Sequence, residues 1–376
     1  MSFNPAGNWW RRTSIRPSCR FDMSKLGKAL AAVILLQCLV WSSTAVAQNA
    51  YITGSSINLI DPASSSVVAT LSGVSGFAIA RSPDGSRIYV TKGGANNIDV
   101  INTAIPSVIS TITTPSWAQG IAISPDGTKL YATQYNTGGK VLVINTASNS
   151  IAATWILGGS TQGIALSPDG ALAYISNSTG NSLFVVNTAT GIVQATVPTG
   201  TSPLNLAVSP DGTRVYVDNF TGNSVSVVDT ATNGVVATVP VGTSPIGVDV
   251  TPDGSRVYVT NLLSDTVSVI SRPTNGVVST IAVGDGPYGV RVSGDGGTVY
   301  AANRNDGTVS VIKTGSNVVV GTISVGGAPL YVGPFTVPAT SAVPVPSLNL
   351  YALIALGLWL GGLAVSQVGV HRKACS

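Results

Sequence analysis

Ser209-Pro210-Asp211-Gly212-Thr213-Arg214-Val215-Tyr216-Val217-Asp218-Asn219 is the stretch that decides the fold, because this turn running into a strand is repeated along the 376-residue chain. Pro-Asp-Gly recurs at Pro83, Pro125, Pro168, Pro210 and Pro252, at spacings of 42, 43, 42 and 42, and Gly294-Asp295-Gly296 follows 42 residues later. A tyrosine follows each turn: Tyr89, Tyr131, Tyr174, Tyr216, Tyr258 and Tyr300. Tyr51, in Ala50-Tyr51-Ile52-Thr53-Gly54, adds a seventh tyrosine unit 38 residues before Tyr89, without a turn of its own. A fixed period near 42 overrides the two or three domains that the length alone would allow, and it predicts one array of stacked units.

Within a unit the pattern reads as four short strands, clearest between residues 202 and 243. Leu204 to Val208, Arg214 to Val217, Ser224 to Val228 and Val235 to Val239 are runs rich in Val, each bounded by turn residues. Pro presets the first central residue of a type I turn, Asp bonds its own backbone, and Gly takes the positive φ that follows. That chemistry accounts for the recurring Asp as turn residues rather than metal ligands. Asn233-Gly234 and Asn275-Gly276 are expected to supply the positive-φ positions of tight hairpins. Four antiparallel strands cannot bury both faces alone. Stacking copies in a closed ring buries them and removes the sheet edges, so the expectation is an all-β, seven-bladed β-propeller of four-stranded antiparallel blades. The chain enters at a tyrosine strand and ends with a spare inner strand, Ala328 to Phe335, which is predicted to complete the first blade.

The net charge of +4 does not belong to this ring. Between residues 51 and 338 there are 11 Lys and Arg against 14 Asp, while six basic residues precede residue 30 and Arg372 and Lys373 follow the last hydrophobic run. The ring therefore lacks the basic footprint of a nucleic-acid binder, and no nucleic-acid partner is expected. Glu is absent altogether; Cys19, Cys38, Cys375 and the single His371 all fall outside the repeats. This inventory removes a Ser-His-Asp triad, thiol nucleophiles and the commonest zinc, copper and haem ligands from the ring, so no cofactor and no metal are expected.

The ends read differently. Residues 1–47 form an N-terminal extension and signal peptide: Met23 is read as the start, followed by Lys25 and Lys28, the apolar run Ala29 to Val40, and Ala45-Val46-Ala47, with cleavage expected after Ala47. The propeller is assigned to residues 48–336 and a Pro, Ala and Thr linker to 337–347. Residues 348–376 carry a hydrophobic helix, Leu348 to Val365, with a basic tail that should stay cytoplasmic, so membrane contact through this helix is expected at least transiently.

Tyr258-Val259-Thr260-Asn261, Val267-Ser268-Val269-Ile270 and Pro245-Ile246-Gly247-Val248 resemble the YVTN family of seven-bladed propellers of bacterial and archaeal secreted and surface-layer proteins, over residues 50 to about 336. That motif is structural, and relatives with similar repeats include lactonases, quinoprotein-like subunits and plain surface proteins. Val345-Pro346-Ser347-Leu348-Asn349-Leu350-Tyr351, followed by the apolar run, resembles the IPTL-CTERM and PEP-CTERM sorting tails. The resemblance implies processing near Pro346 by an exosortase-like system in a Gram-negative envelope; the other reading is a retained single-span anchor.

For a site, the innermost strands line up as Ala78, Ala122, Ala165, Ala207, Asp249, Arg291 and Gly333, so Asp249 and Arg291 stand out as a charged pair in neighbouring blades. Two positions earlier, where the inner strand begins, the equivalents are read as Gln119, Gln162, Leu204, Ile246, Tyr288 and Leu330, with Trp117 and Tyr331 close by. Asp249, Arg291, Trp117 and Tyr288 are the candidate ligand contacts at the channel or its rim, with the aromatics read as covering the mouth. No catalytic residue is assigned. The expected function is an exported, cell-envelope-associated, non-catalytic binding or scaffolding module at the bacterial surface or extracellular matrix, with a polysaccharide or protein ligand. The alternative is a channel-based enzyme of lactonase-like or quinoprotein-like type.

Overall fold

The computed structural model describes residues 49–61, 64–135 and 138–333. The signal peptide with Ala47, the linker, Pro346 and the hydrophobic helix all lie outside the described residues. Among the described residues every regular element is a strand. They form seven antiparallel sheets, six of four strands and one of three. In blade 5 the strands are Pro203–Val208, Arg214–Asn219, Ser224–Asp229 and Gly234–Pro240, paired in that order from the channel outward. Blades 2, 3, 4, 6 and 7 occupy residues 79–113, 118–156, 161–198, 245–282 and 287–324.

Blade 1 is the three-stranded sheet of Ala50–Ile52, Ile57–Asp61 and Ser66–Leu71. Its missing inner strand comes from the other end of the chain. Ile52 bridges Val332 antiparallel, Thr53 N–H donates to the Tyr331 carbonyl at 2.9 Å, and Gly333 N–H donates to the Tyr51 carbonyl at 2.7 Å. The ring is thus closed by both ends sharing one blade.

Each Pro-Asp-Gly turn works as its residue types require. In the turn at 210–212, Asp211 Oδ1 accepts from Ser209 Oγ at 2.6 Å and from Thr213 N–H at 3.1 Å, and Gly212 has φ of 71°. These bonds stabilise the ionised carboxyl. At Asp126 the Ser124 hydroxyl and Thr128 hold the acid down to about 2.

The outer hairpins differ from expectation. Asn233 and Asn275 take the left-handed conformation, with φ of 52° and 48°, but Gly234 and Gly276 do not and instead begin the outermost strands. A β-bulge at Val227/Val228 explains this: the loop is a turn followed by one left-handed residue, so only one positive φ is needed. Asn fills that position at 149 and 317, and Gly at 191.

Period-two alternation sends one face of each second strand to each neighbouring blade. Tyr216 packs with Val257 and Val259 of blade 6, and Tyr258 with Val299 and Ala301 of blade 7. All seven repeat tyrosines are buried to 2% exposure or less, so each sits wholly in a blade interface. Burying a large apolar side chain contributes roughly 1.5–3 kcal/mol, so each tyrosine adds to the cohesion of the interface it fills.

Candidate functional site

The inner strands stand side by side around a channel, close enough that glycine is required where they touch. A Cβ on Gly163 would lie 2.6 Å from the Leu204 carbonyl oxygen, and one on Gly289 would lie 2.6 Å from that of Leu330. Those neighbours are backbone and cannot swing aside.

The contact is locked by the residue two places after each repeat tyrosine. In blade 3, Gly120 N–H donates to Thr133 Oγ1 at 2.8 Å, and that hydroxyl donates onward to the Gln162 carbonyl of blade 4 at 2.5 Å. Ser176 does the same between Gly163 and Leu204, Thr91 between Ala78 and Gln119, and Thr53 between Tyr331 and Phe77. Thr260 reaches the Tyr288 carbonyl at 2.5 Å. The Tyr-Val-Thr-Asn phrase is thereby accounted for: Tyr258 fills the interface, Thr260 latches the next blade, and Asn261 ties the following loop to Thr266 and Ser268.

Two blades depart from this latch. In blade 7 the position is Ala302, and Gly289 N–H bonds the Leu330 carbonyl directly at 2.8 Å. In blade 5 it is Asp218, fully buried, whose Oδ1 accepts from Leu204 N–H at 3.2 Å and Asn205 N–H at 2.9 Å, while Oδ2 has no partner. Burial pushes this carboxyl up to about 8, against the pull of the two backbone bonds, so the neutral acid prevails at pH 7. The onward donation passes to Asn205, whose Nδ2 reaches the Ile246 carbonyl at 2.5 Å. Asn205 stands where blades 3, 4, 6 and 7 have Gly120, Gly163, Gly247 and Gly289. Asp218 was missed in sequence because most other Asp are turn residues; the column of Thr and Ser two places after each tyrosine would have exposed it.

Asn205 also meets the far wall. Tyr331, in the closing strand of blade 1, donates its hydroxyl to Asn205 Oδ1 at 3.3 Å. Blades 1 and 5 are three apart in the ring of seven, so this contact spans the channel. Tyr331 packs edge-on against Phe77 and Tyr288, each at 5.4 Å between centroids, and Phe77 packs against Trp117 at 5.4 Å. Burial raises the Tyr331 phenol well above its ordinary value and that of Tyr288 to about 12. Aromatic rings and one cross-channel bond therefore close the channel where the inner strands begin. Trp117 and Tyr288 belong to this cluster.

Toward the other end of the same strands, the structure brings Asp249 and Arg291 together. Arg291 Nη1 lies 3.5 Å from Asp249 Oδ1, and Asp249 Oδ2 accepts from Val292 N–H at 2.7 Å. Burial raises the Asp249 carboxyl, opposed by the Arg291 charge and that bond. The residue of blade 2 level with this pair is Ala80, opposite Tyr89, and not Ala78. A slip of two residues keeps the same face, so alternation alone cannot detect it. The register also puts the row of Gln119, Gln162, Leu204, Ile246, Tyr288 and Leu330 three residues, not two, before the ring of alanines, completed by Phe77; its carbonyls are mostly the latch acceptors. Between floor and turns lies a cavity of about 500 Å³, lined mainly by Ala, Gly and branched aliphatic residues, with Asn205, Tyr331, Asp249 and Arg291 among its polar groups.

Residues 195–293 match the family model of a YNCE-like beta-propeller. None of the curated proteins matches the sequence. Among solved structures, a functionally unknown protein from Desulfotomaculum acetoxidans superposes with a TM-score of 0.66 at 21% identity, over 76% of this chain and 99% of that one. The hydrazine synthase of Kuenenia stuttgartiensis gives a TM-score of 0.47 at 20% identity, over 64% of this chain and 95% of that one. The fold is thus a seven-bladed propeller with a YNCE-like segment.

Proposed function

We propose that this chain is an exported, envelope-associated propeller that works as a binding module and not as a catalyst, with its ligand taken in the channel. The observation that carries this reading is the half-closed channel, whose floor is closed by Tyr331 and Asn205 and whose ring of residues opposite the repeat tyrosines departs from alanine only at Asp249, Arg291 and Gly333. Pockets of this kind, mostly apolar with a few convergent polar groups, suit small-molecule recognition. The signal-peptide pattern ending at Ala47 and the sorting-like tail around Pro346 support export, surface placement and handling by an exosortase-like system.

The test uses protein extracted from the cell surface. Intact mass should show the loss of residues 1–47 and 348–376, and the protein should co-sediment with envelope polysaccharide while hydrolysing no lactone and reducing no dye-linked acceptor. Turnover in either assay overturns the non-catalytic reading. A mass that retains residues 348–376 overturns processing of the tail.

A further inference from the structure

The seven inner-strand positions level with Arg291 are four alanines, Asp249, Arg291 and Gly333. Arg291 is the group at this level whose hydrogen bonding is incomplete. Among the described residues its only hydrogen bond to a side chain, to Asp249, is at 3.5 Å, the far limit for such a bond, and its buried Nε has no partner there. Asp249, by contrast, is anchored by the Val292 N–H at 2.7 Å. The Arg291 side chain is 31% exposed, so solvent and small solutes reach it.

The Nη end of this partly exposed guanidinium matches a planar carboxylate, which accepts two parallel N–H bonds from it. A phosphate or sulfate would present further oxygens needing donors, and the Ala80, Ala122, Ala165 and Ala207 side chains level with Arg291 offer none, while the Arg81 guanidinium, also on this cavity, lies against Gly85. The same alanines give a hydrocarbon body a wall to lie against. Resting on the reading of the channel as a binding site, we infer that its ligand is a small organic acid, with the carboxylate paired to Arg291 and an apolar body along the alanine wall.

Calorimetric titration of the full chain with hexanoate and with its neutral isostere hexanamide tests this. Hexanoate should bind, and hexanamide should bind at least about tenfold more weakly, since a charge-assisted bond is worth roughly 1.5–3 kcal/mol. Arg291→Ala should abolish hexanoate binding, and Asp249→Ala should tighten it several-fold by removing the internal competitor. Equal binding of hexanoate and hexanamide, or displacement of hexanoate by equimolar inorganic phosphate, overturns the carboxylate assignment while leaving the channel a binding site. No hexanoate binding at all also overturns the assignment, whereas the module reading is decided separately by co-sedimentation with the envelope.

Discussion

In blade 3 the Thr133 hydroxyl accepts from Gly120 and donates to Gln162, so one small side chain joins its own inner strand to the next. In blade 5 the corresponding Asp218 accepts from Leu204 and Asn205, and the donation to Ile246 is made by Asn205. The two blades close the same backbone contact with different chemistry. In blade 3 the Thr133 hydroxyl is used both as acceptor and as donor, and Gly120 presents only backbone to the channel. In blade 5 the amide that completes the latch also offers an oxygen to Tyr331 across the channel, and a carboxyl oxygen stays buried without a partner. Blades 5 to 7 and the closing strand contribute Asn205, Asp249, Arg291 and Tyr331 to the cavity.

The largest expected effect comes from breaking the blade 5 latch. Asp218→Ala removes the acceptor for two buried N–H groups and should cost about 2–4 kcal/mol in urea unfolding. Asp218→Thr with Asn205→Gly rebuilds the blade 3 pattern and should fall within about 1 kcal/mol of wild type. A cost as large for the double variant as for Asp218→Ala would show that the two latches are not equivalent.

The pH dependence sharpens the same comparison. The folded value of Asp218 is raised from 3.8 to about 8, so the proton it holds contributes fully below the unfolded value and the contribution is lost as pH rises toward 8. Wild-type stability should therefore fall from pH 5 to pH 8, by at most about 1.4 kcal/mol per unit from this group. Asp249, also raised, acts in the same direction, so the Asp218→Thr, Asn205→Gly variant should keep a shallower slope. Tyr288 and Tyr331 face Asp218 and remain neutral over this range. The smallest effect belongs to the floor: Tyr331→Phe loses one cross-channel bond and should cost about 0.5–1.5 kcal/mol.

Much of this architecture was legible because turn and packing chemistry repeat. Pro-Asp-Gly and the tyrosines count the blades, and the unpaired Tyr51 strand and spare C-terminal strand foretell the closure seen at Ile52 and Val332. The pairing of Asp249 with Arg291 was legible too, since two charges in an otherwise alanine column need each other or water. Positions set by bulges were not legible. The bulge before Val228 leaves the positive φ to Asn233 alone instead of to the Asn233-Gly234 pair, and that Ala80 rather than Ala78 meets Tyr89 is a two-residue slip invisible to alternation. Asp218 and Tyr331 escaped for another reason: their roles depend on partners 13 to 126 residues away, which the repeat brings together only once the ring is closed.

The central claim is that function lies where the wall stops being regular. The most direct measurement is hexanoate titration of the full chain carrying both Asp249→Ala and Arg291→Ala, which makes six of the seven positions at that level alanine. The predicted result is loss of binding with an unfolding midpoint close to wild type. Undiminished binding by this regularised ring would contradict the claim.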